Sequence, residues 1–483
     1  MDRIIFQGFL APADGLGVLD AAWSDVYADG GTVQLVLGGR ALATLSRYQL
    51  SEGQIAAHHR TDTFGDEEGP FFSEGLVAGD GTAWMWSVLA AQTYEVASDR
   101  SLPAVLRLTA GALDSAGVLP LVGGGLVNFR DGGFELLRPG SSGAMVRVAQ
   151  IADTSKSVAR AVSAAVEVQI GSERFLITAS EAENGLSSFR LQGDSATLVD
   201  TIGAKDGLWS DGISALQAAS TAGETYVLAS SASAGSLMSV RVNPSGVFFV
   251  QDVVWDDRAT RFDGATDMAT FDAGGRAFAV LGGTDAGLAL FEVLPDGTLW
   301  HHQSVEQSAA WDIGGVTDLS ARVVGNEVQI FASGAAQNGV AQLALDLRDL
   351  GEMVRAQARN QVTSGTDRDD VMIGTTGDDW LIGQGGDDVL IAGAGQDHME
   401  GGAGADAFVF DESPGTDTIM DFRRGEDRID LSGWGRIYDL SALGFEQRSA
   451  GAIITWHDHQ IEVFSGDGTP IRNGDWSADD FIF

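Results

Sequence analysis

Residues 365–409 read Gly365-Thr-Asp-Arg-Asp-Asp370-Val-Met-Ile373, Gly374-Thr-Thr-Gly-Asp-Asp379-Trp-Leu-Ile382, Gly383-Gln-Gly-Gly-Asp-Asp388-Val-Leu-Ile391, Ala392-Gly-Ala-Gly-Gln-Asp397-His-Met-Glu400 and Gly401-Gly-Ala-Gly-Ala-Asp406-Ala-Phe-Val409, one nine-residue phrase repeated five times without a gap. The sixth position is always Asp. The eighth is always apolar: Met372, Leu381, Leu390, Met399 and Phe408. A flexible Gly/Asp-rich linker would accept these residues in any order, so the fixed frame argues for a wound parallel β-roll instead.

Each slot has a physical reason. Glycine at positions one, two and four lets the loop take positive φ and turn carbonyl oxygens inward. The x-apolar-x segment between loops is a short strand with one inward residue. Carbonyls and one carboxylate per loop suit Ca²⁺, which takes about six to eight hard oxygen ligands, roughly half from one loop and half from its neighbour. Two nonapeptides make one coil, so Asp370, Asp388 and Asp406 are expected on one edge and Asp379 and Asp397 on the other, with loop glycines Gly377, Gly386, Gly395 and Gly404. About three or more shared calcium ions follow. Departures from the template at Thr366, Arg368, Thr375, Gln384 and Ala392 fall mostly in the first repeats, so the outermost site is expected to be weak or empty.

The segment resembles the RTX family of bacterial proteins exported by type I secretion. The resemblance continues through Asp417-Thr-Ile-Met-Asp421-Phe422-Arg-Arg-Gly425-Glu-Asp427-Arg-Ile429-Asp430-Leu431-Ser432, which is similar to the stretch after the β-roll of serralysin-type C-terminal domains. It implies a further calcium at Asp411 and Asp417, whose spacing is one residue shorter than the family's pattern. The ending Asp480-Phe481-Ile482-Phe483 is similar to type I export signals. The resemblance therefore implies a secreted or cell-surface protein with an exporter and calcium as partners.

Composition agrees. The 483 residues contain no Cys, so disulfides and thiolate metal sites are excluded. There is no apolar run of transmembrane length, and Met1-Asp2-Arg3-Ile4-Ile5-Phe6-Gln7 is too short and acidic for a Sec signal peptide. A net charge of −39 argues against nucleic acid and anionic membranes as partners. From Gly351 onward twenty Asp and six Glu face nine Arg, an excess of seventeen negative charges that calcium would relieve on folding.

The first 350 residues alternate short apolar strands with Gly, Asp, Ser and Asn turns, and they repeat. Ala161-Val-Ser-Ala-Ala165, Gly212-Ile-Ser-Ala-Leu216, Gly264-Ala-Thr-Asp-Met268 and Gly315-Val-Thr-Asp-Leu319 open four similar units at offsets of 51, 52 and 51 residues. Each continues through three more strands, the last near Gly246-Val-Phe-Phe249 or Gly297-Thr-Leu-Trp300. Four strands in forty to fifty residues is the arithmetic of a propeller blade. Earlier blades are expected at Gly31–Val36 with Ala41–Leu45 and Gly53–Ile55, at Thr82–Trp86 with Val105–Leu108, and at Phe134–Leu137 with Ala144–Arg147. The fold class is thus all-β: a propeller of about seven blades over 1–350, with six or eight as alternatives and a β-sandwich as the rival fold, a linker at 351–364, the calcium β-roll at 365–410 and a C-terminal β region at 411–483.

Candidate chemistry in the first region is sparse. His58-His59 and His301-His302 are expected as exposed outer-strand residues rather than a metal site. His-Glu-x-x-His, Gly-x-Ser-x-Gly and the phosphate loop are absent, which excludes a zinc metalloprotease at the motif level. Ser163, Ser214, Thr266, Asp267, Thr317 and Asp318 are expected near the axis, either as divalent-ion ligands in a hydrolase or, more economically, as hydrogen-bond partners between blades. Trp84, Trp86, Trp209, Trp255, Trp300 and Trp311 are expected in blade packing. Two functions follow: a secreted, non-catalytic binding, adhesion or surface module that can self-assemble, or an exported lactonase-like or phosphatase-like propeller hydrolase.

Overall fold

A computed structural model describes residues 4–10, 21–29, 32–39, 44–63, 74–77, 83–87, 92–96, 117–122, 124–140, 145–257, 260–285, 287–334, 339–357, 361–411, 415–435, 437 and 439–482. They form two compact units that divide between Asp346 and Leu347.

The first unit is a ring of antiparallel sheets. Among the described residues, six have four strands and one has three. Blade 1 comprises Ala21–Asp29, Thr32–Gly39, Thr44–Gln49 and Ala57–Thr63, and blade 2 Glu74–Val77, Ala83–Ser87 and Gln92–Val96. Blade 3 runs from Gly117 to Ala152, blade 4 from Val162 to Gly203, blade 5 from Ala215 to Trp255 and blade 6 from Asp267 to Glu306. Blade 7 takes Val316–Val324, Glu327–Gly334 and Val340–Asp346 from the end of the unit and Ile5–Phe9 from its beginning, the latter antiparallel to Val340–Asp346. Both chain ends of the ring therefore meet in one sheet. Blade cores are apolar, as in the cluster Phe175, Ile177, Val227, Met238 and Val240 between blades 4 and 5.

Two expectations for blade 1 change. Thr32–Gly39 is its second strand, because Ala21–Asp29 precedes it, and Gly53–Ile55 forms a turn before the outer strand Ala57–Thr63. The expected Val105–Leu108 strand and part of Ala41–Leu45 lie outside the described residues.

The unit openers share one backbone feature. Ala161, Gly212, Gly264 and Gly315 all have positive φ, at 48°, 75°, 64° and 94°. Three of the four are glycine, which adopts this region without steric cost. The final-strand turn repeats too: the space a side chain on Gly246 or Gly297 would need is filled by the ring of the preceding blade's Phe175 or Tyr226.

The second unit is a two-faced solenoid. One sheet stacks Leu350–Arg355, Asp369–Ile373, Val389–Ile391, Ala407–Val409, Arg428–Asp430 and Phe481–Ile482. The other stacks Val362–Ser364, Trp380–Gly385, His398–Ala403 and Thr416–Phe422, then His459–Ser465, Gly451–Trp456 and Gly444–Arg448. In the repeats the strands are parallel and in register at eighteen residues, Met372 beside Leu390 beside Phe408 and Leu381 beside Met399, all with 0% exposure. The 351–364 stretch is not a linker: its two strands pair with Asp369–Ile373 and Trp380–Gly385 and form the first coil.

Candidate functional site: the aspartate ladders of the solenoid

The eighteen-residue register places each sixth-position carboxylate under the loop before it. The amide of Asp370 donates to Asp388 Oδ1 at 2.8 Å, and that of Asp388 to Asp406 Oδ1 at 3.0 Å. On the other edge Asp379 donates to Asp397 at 2.7 Å, and Asp397 to Asp417 at 2.9 Å. The ladder also runs on to Asp427, whose Oδ1 accepts the Asp406 amide at 3.1 Å. Asp427 was not singled out from sequence. The insertion around Asp411–Gly415 lengthens the step from 18 residues to 20 at Asp417 and 21 at Asp427, so the nine-residue frame no longer points to it.

The second carboxylate oxygens are the informative ones. Oδ2 of Asp388, Asp397 and Asp406 and Oδ1 of Asp379 are buried and have no hydrogen-bond partner. Leaving an anionic oxygen buried and unpaired is costly, so such atoms imply a cation. The glycines leave room for it. A Cβ on Gly383 or Gly401 would occupy the position of Asp388 Oδ2 or Asp406 Oδ2. At position four, a Cβ on Gly386, Gly395 or Gly404 would run into the backbone of the coil eighteen residues earlier. Gly377 lies beneath Gly395 in this stack.

The edge differs. Thr366 donates both its amide, at 2.5 Å, and its hydroxyl, at 3.0 Å, to Asp370 Oδ2, and the Glu352 amide takes Asp370 Oδ1 at 2.5 Å. Asp370 is thus satisfied by protein groups. Thr375 makes the same pair of bonds to Asp379 Oδ2, at 2.6 and 2.7 Å, leaving Oδ1. Fifth-position carboxylates add a second ladder that sequence reading passed over: Asp369, Asp378 and Asp387 accept the amides of Asp387, Gln396 and Ala405. Asp411 is exposed beside Asp417, whose acidity it opposes.

Crowding shows in the acidities. Burial, then neighbouring ladder carboxylates, pushes Asp388 up to about 8 and Asp397 and Asp406 to about 7; burial, then Asp411 and Asp421 respectively, pushes Asp417 and Asp427 to about 6. Among the described residues no three His, Asp or Glu side chains converge as a metal cluster, so an ion here would draw most of its oxygens from backbone carbonyls. The donor set fits Ca²⁺: hard oxygens only, with orphaned carboxylate atoms and room above the glycines.

Most of the residues expected at the axis of the first unit make hydrogen bonds between blades, the more economical of the two readings. Ser163 donates to the Ile213 carbonyl at 2.7 Å, Ser214 to Ala265 at 2.6 Å and Thr266 to Val316 at 2.5 Å. The third residue of three of the four openers thus ties its blade to the second residue of the next, whereas Thr317, in the fourth, is exposed. Asp267 accepts the Leu319 amide at 2.7 Å, and Asp318 accepts the Ser24 hydroxyl at 2.5 Å, again between blades.

Other expectations divide. His302 is not an exposed strand residue: its Nε2 meets Glu292 at 2.8 Å, and Glu292 is held in a bidentate pair by the buried Arg276. His58 packs edge-on to Tyr48, whereas His59 is exposed. Trp311 is buried, but Trp209 and Trp255 are 57% and 51% exposed, so blade packing does not account for those two. Asp480 and Phe481 are buried in the second unit, with Asp480 accepting the Gly425 amide at 3.0 Å. No helix among the described residues is long and apolar enough to cross a membrane.

Residues 364–399 and 373–408 match the RTX calcium-binding nonapeptide repeat. No curated protein is significantly similar in sequence. Similar solved structures include a periplasmic gluconolactonase from Pseudomonas aeruginosa, 18% identical with a TM-score of 0.45 over 60% of this chain and 86% of that one. A virginiamycin B lyase from Staphylococcus aureus is 9% identical, with a TM-score of 0.47 over 71% and 99% of the two chains. A streptogramin B lyase is 11% identical, with a TM-score of 0.45 over 71% and 96%. Residues 364–408 are RTX calcium-binding repeats, wound as a β-solenoid and joined in one chain to a propeller-like domain.

Proposed function

We propose that the chain is an exported protein whose solenoid sets in calcium outside the cell and whose propeller presents a binding, adhesion or surface-structural module. The observation that carries the calcium half is the row of buried, unpartnered oxygens on Asp379, Asp388, Asp397 and Asp406. Calcium would be held there by these carboxylates, by Asp417 and Asp427 at the C-terminal rungs, and by carbonyls of the loops containing Gly377, Gly386, Gly395 and Gly404. Asp411 would complete a site with Asp417. At the N-terminal edge Thr366 already satisfies Asp370, which favours fewer ions there than the repeat number implies.

What the ion supplies is charge neutralisation. The 351–483 region carries seventeen excess negative charges, so binding free energy becomes folding free energy. RTX repeats are typical of secreted bacterial proteins, which supports export, with a type I exporter as partner. The propeller reading is supported by the absence of catalytic motifs and by hydroxyls and a carboxylate of the opening segments that hydrogen-bond the next blade.

Hydrogen exchange on the full chain tests the calcium half, and substrate turnover tests the propeller half. Millimolar calcium should protect 365–430 strongly relative to chelator; equal protection in both would remove the calcium reading. Turnover of lactones, esters or phosphoesters that disappears in Asp267→Ala and Asp318→Ala would overturn the binding-module reading.

A further inference from the structure

The fourth residue of the blade openers divides the ring. Blades 4 and 5 carry Ala164 and Ala215, whereas blades 6 and 7 carry Asp267 and Asp318; the first strand of blade 1 has Trp23 at this register and Asp25 two residues further on. Blades 6, 7 and 1 are consecutive; the chain ends meet within blade 7, whose Val316–Val324 strand lies against Ala21–Asp29 of blade 1.

The hydrogen bonds link the acids from blade to blade. Asp267 accepts the Met268 amide at 2.8 Å on one oxygen and the Leu319 amide at 2.7 Å on the other. Asp25 accepts the Val26 amide at 2.7 Å. Leu319 directly follows Asp318, so the Asp267 carboxylate lies beside Asp318. Asp318 spans the joint between blades 7 and 1, taking the Ser24 amide and, at 2.5 Å, the Ser24 hydroxyl, with Ser24 in turn 2.8 Å from Ser320. Blade 6 presents Asp267 to it and blade 1 presents Ser24 and Asp25. Within blade 7, Ser333 lies opposite on the neighbouring strand. Among the described residues Asp267 and Asp25, both acids, oppose the ionisation of Asp318.

We infer that Asp318 is the proton-bearing member of this carboxyl cluster and that the joint between blade 7 and blade 1 is a latch that loosens in alkaline medium. Burial first, then Asp267, raises its acidity constant well above the carboxylate range. For a group raised on folding, the stabilisation is full below the unfolded value and is lost as pH rises through the folded one.

The test is hydrogen exchange on the full chain at saturating calcium from pH 6 to pH 9, corrected for intrinsic exchange and read at 21–29 and 316–324. Wild-type protection there should fall by up to about tenfold per pH unit, the limit for one proton. Asp318→Asn, neutral and still able to accept from Ser24, should remove that slope, while 215–231 in blade 5 stays flat in both proteins. A flat wild-type profile, or the same slope in Asp318→Asn, would overturn the latch. Ser24→Ala provides a second arm if the first variant does not fold. Without the hydroxyl that favours the anion, the loss should move to higher pH, and an unmoved midpoint would likewise overturn it.

Discussion

The amide of Asp379 donates to Oδ1 of Asp397 at 2.7 Å, while Oδ2 of that same Asp397 is buried with no partner. One oxygen holds the coils in register and the other is left for a cation. Replacing the acid by its amide separates the two roles. Asp397→Asn and Asp388→Asn retain the register acceptor but lose the charge. Half-saturation by calcium should rise by roughly 10- to 100-fold, the range seen when groups supporting a metal site are lost. Calorimetric titration of the full chain measures it; an unchanged midpoint would place the ion elsewhere.

Without calcium the same carboxylates should make the solenoid acid-loving. Asp388, at about 8, and Asp397 and Asp406, at about 7, all lie above their ordinary value near 3.8. A raised folded-state value means stability present in acid and lost as pH climbs through the window from about 6 to 8. In chelator, amides of 380–409 should therefore exchange more slowly at pH 5 than at pH 8 after intrinsic correction. The opposite order would contradict the like-charge crowding of the ladders.

Gln384 has a φ of 84° at a repeat position that is glycine in two of the five copies. Side chains other than glycine pay about 1–2 kcal/mol in the left-handed region, offset partly by the lower chain entropy of a non-glycine residue. Gln384→Gly should thus stabilise the calcium-loaded solenoid by roughly 0.5–1 kcal/mol, read by denaturant titration. The converse holds at Gly386, where a side chain would overlap the Arg368 backbone: Gly386→Ala should disrupt the third coil.

The nonapeptide frame was legible because each slot has a one-residue reason: glycine for a turn, Asp for a charge, an apolar residue for the core. Blades 4 to 7 were legible for a related reason, since Gly212, Gly264 and Gly315 mark a repeated left-handed turn. What escaped depends on distant partners. Leu350–Arg355 has no repeat residues and becomes a coil only by pairing with Asp369–Ile373. Ile5–Phe9 finds its sheet more than 330 residues away, at Ala341–Ala344. Asp427 was hidden by an insertion, and His302 by the fact that Arg276 and Glu292 are adjacent to it only across strands.

That buried group gives the sharpest prediction for the propeller. Arg276 and Glu292 are 1% and 0% exposed, and the guanidinium holds both carboxylate oxygens at 2.7–2.8 Å. Burial works to raise the acidity constant of Glu292, yet Arg276 and His302 outweigh it and hold the group down at about 2. A depressed folded-state value means that this stabilisation is present above the ordinary value of 4.5 and is lost only as pH falls towards 2. Removing one partner is another matter, because it strands a charge in the core. Arg276→Ala should cost about 3–5 kcal/mol. Arg276→Met with Glu292→Leu, which removes both charges at similar volume, should recover most of that loss. Thermal unfolding of blade 6, followed at saturating calcium so that the solenoid does not report, measures both. A double variant no more stable than Arg276→Ala would mean that packing of the arginine stem, not the stranded carboxylate, sets the cost.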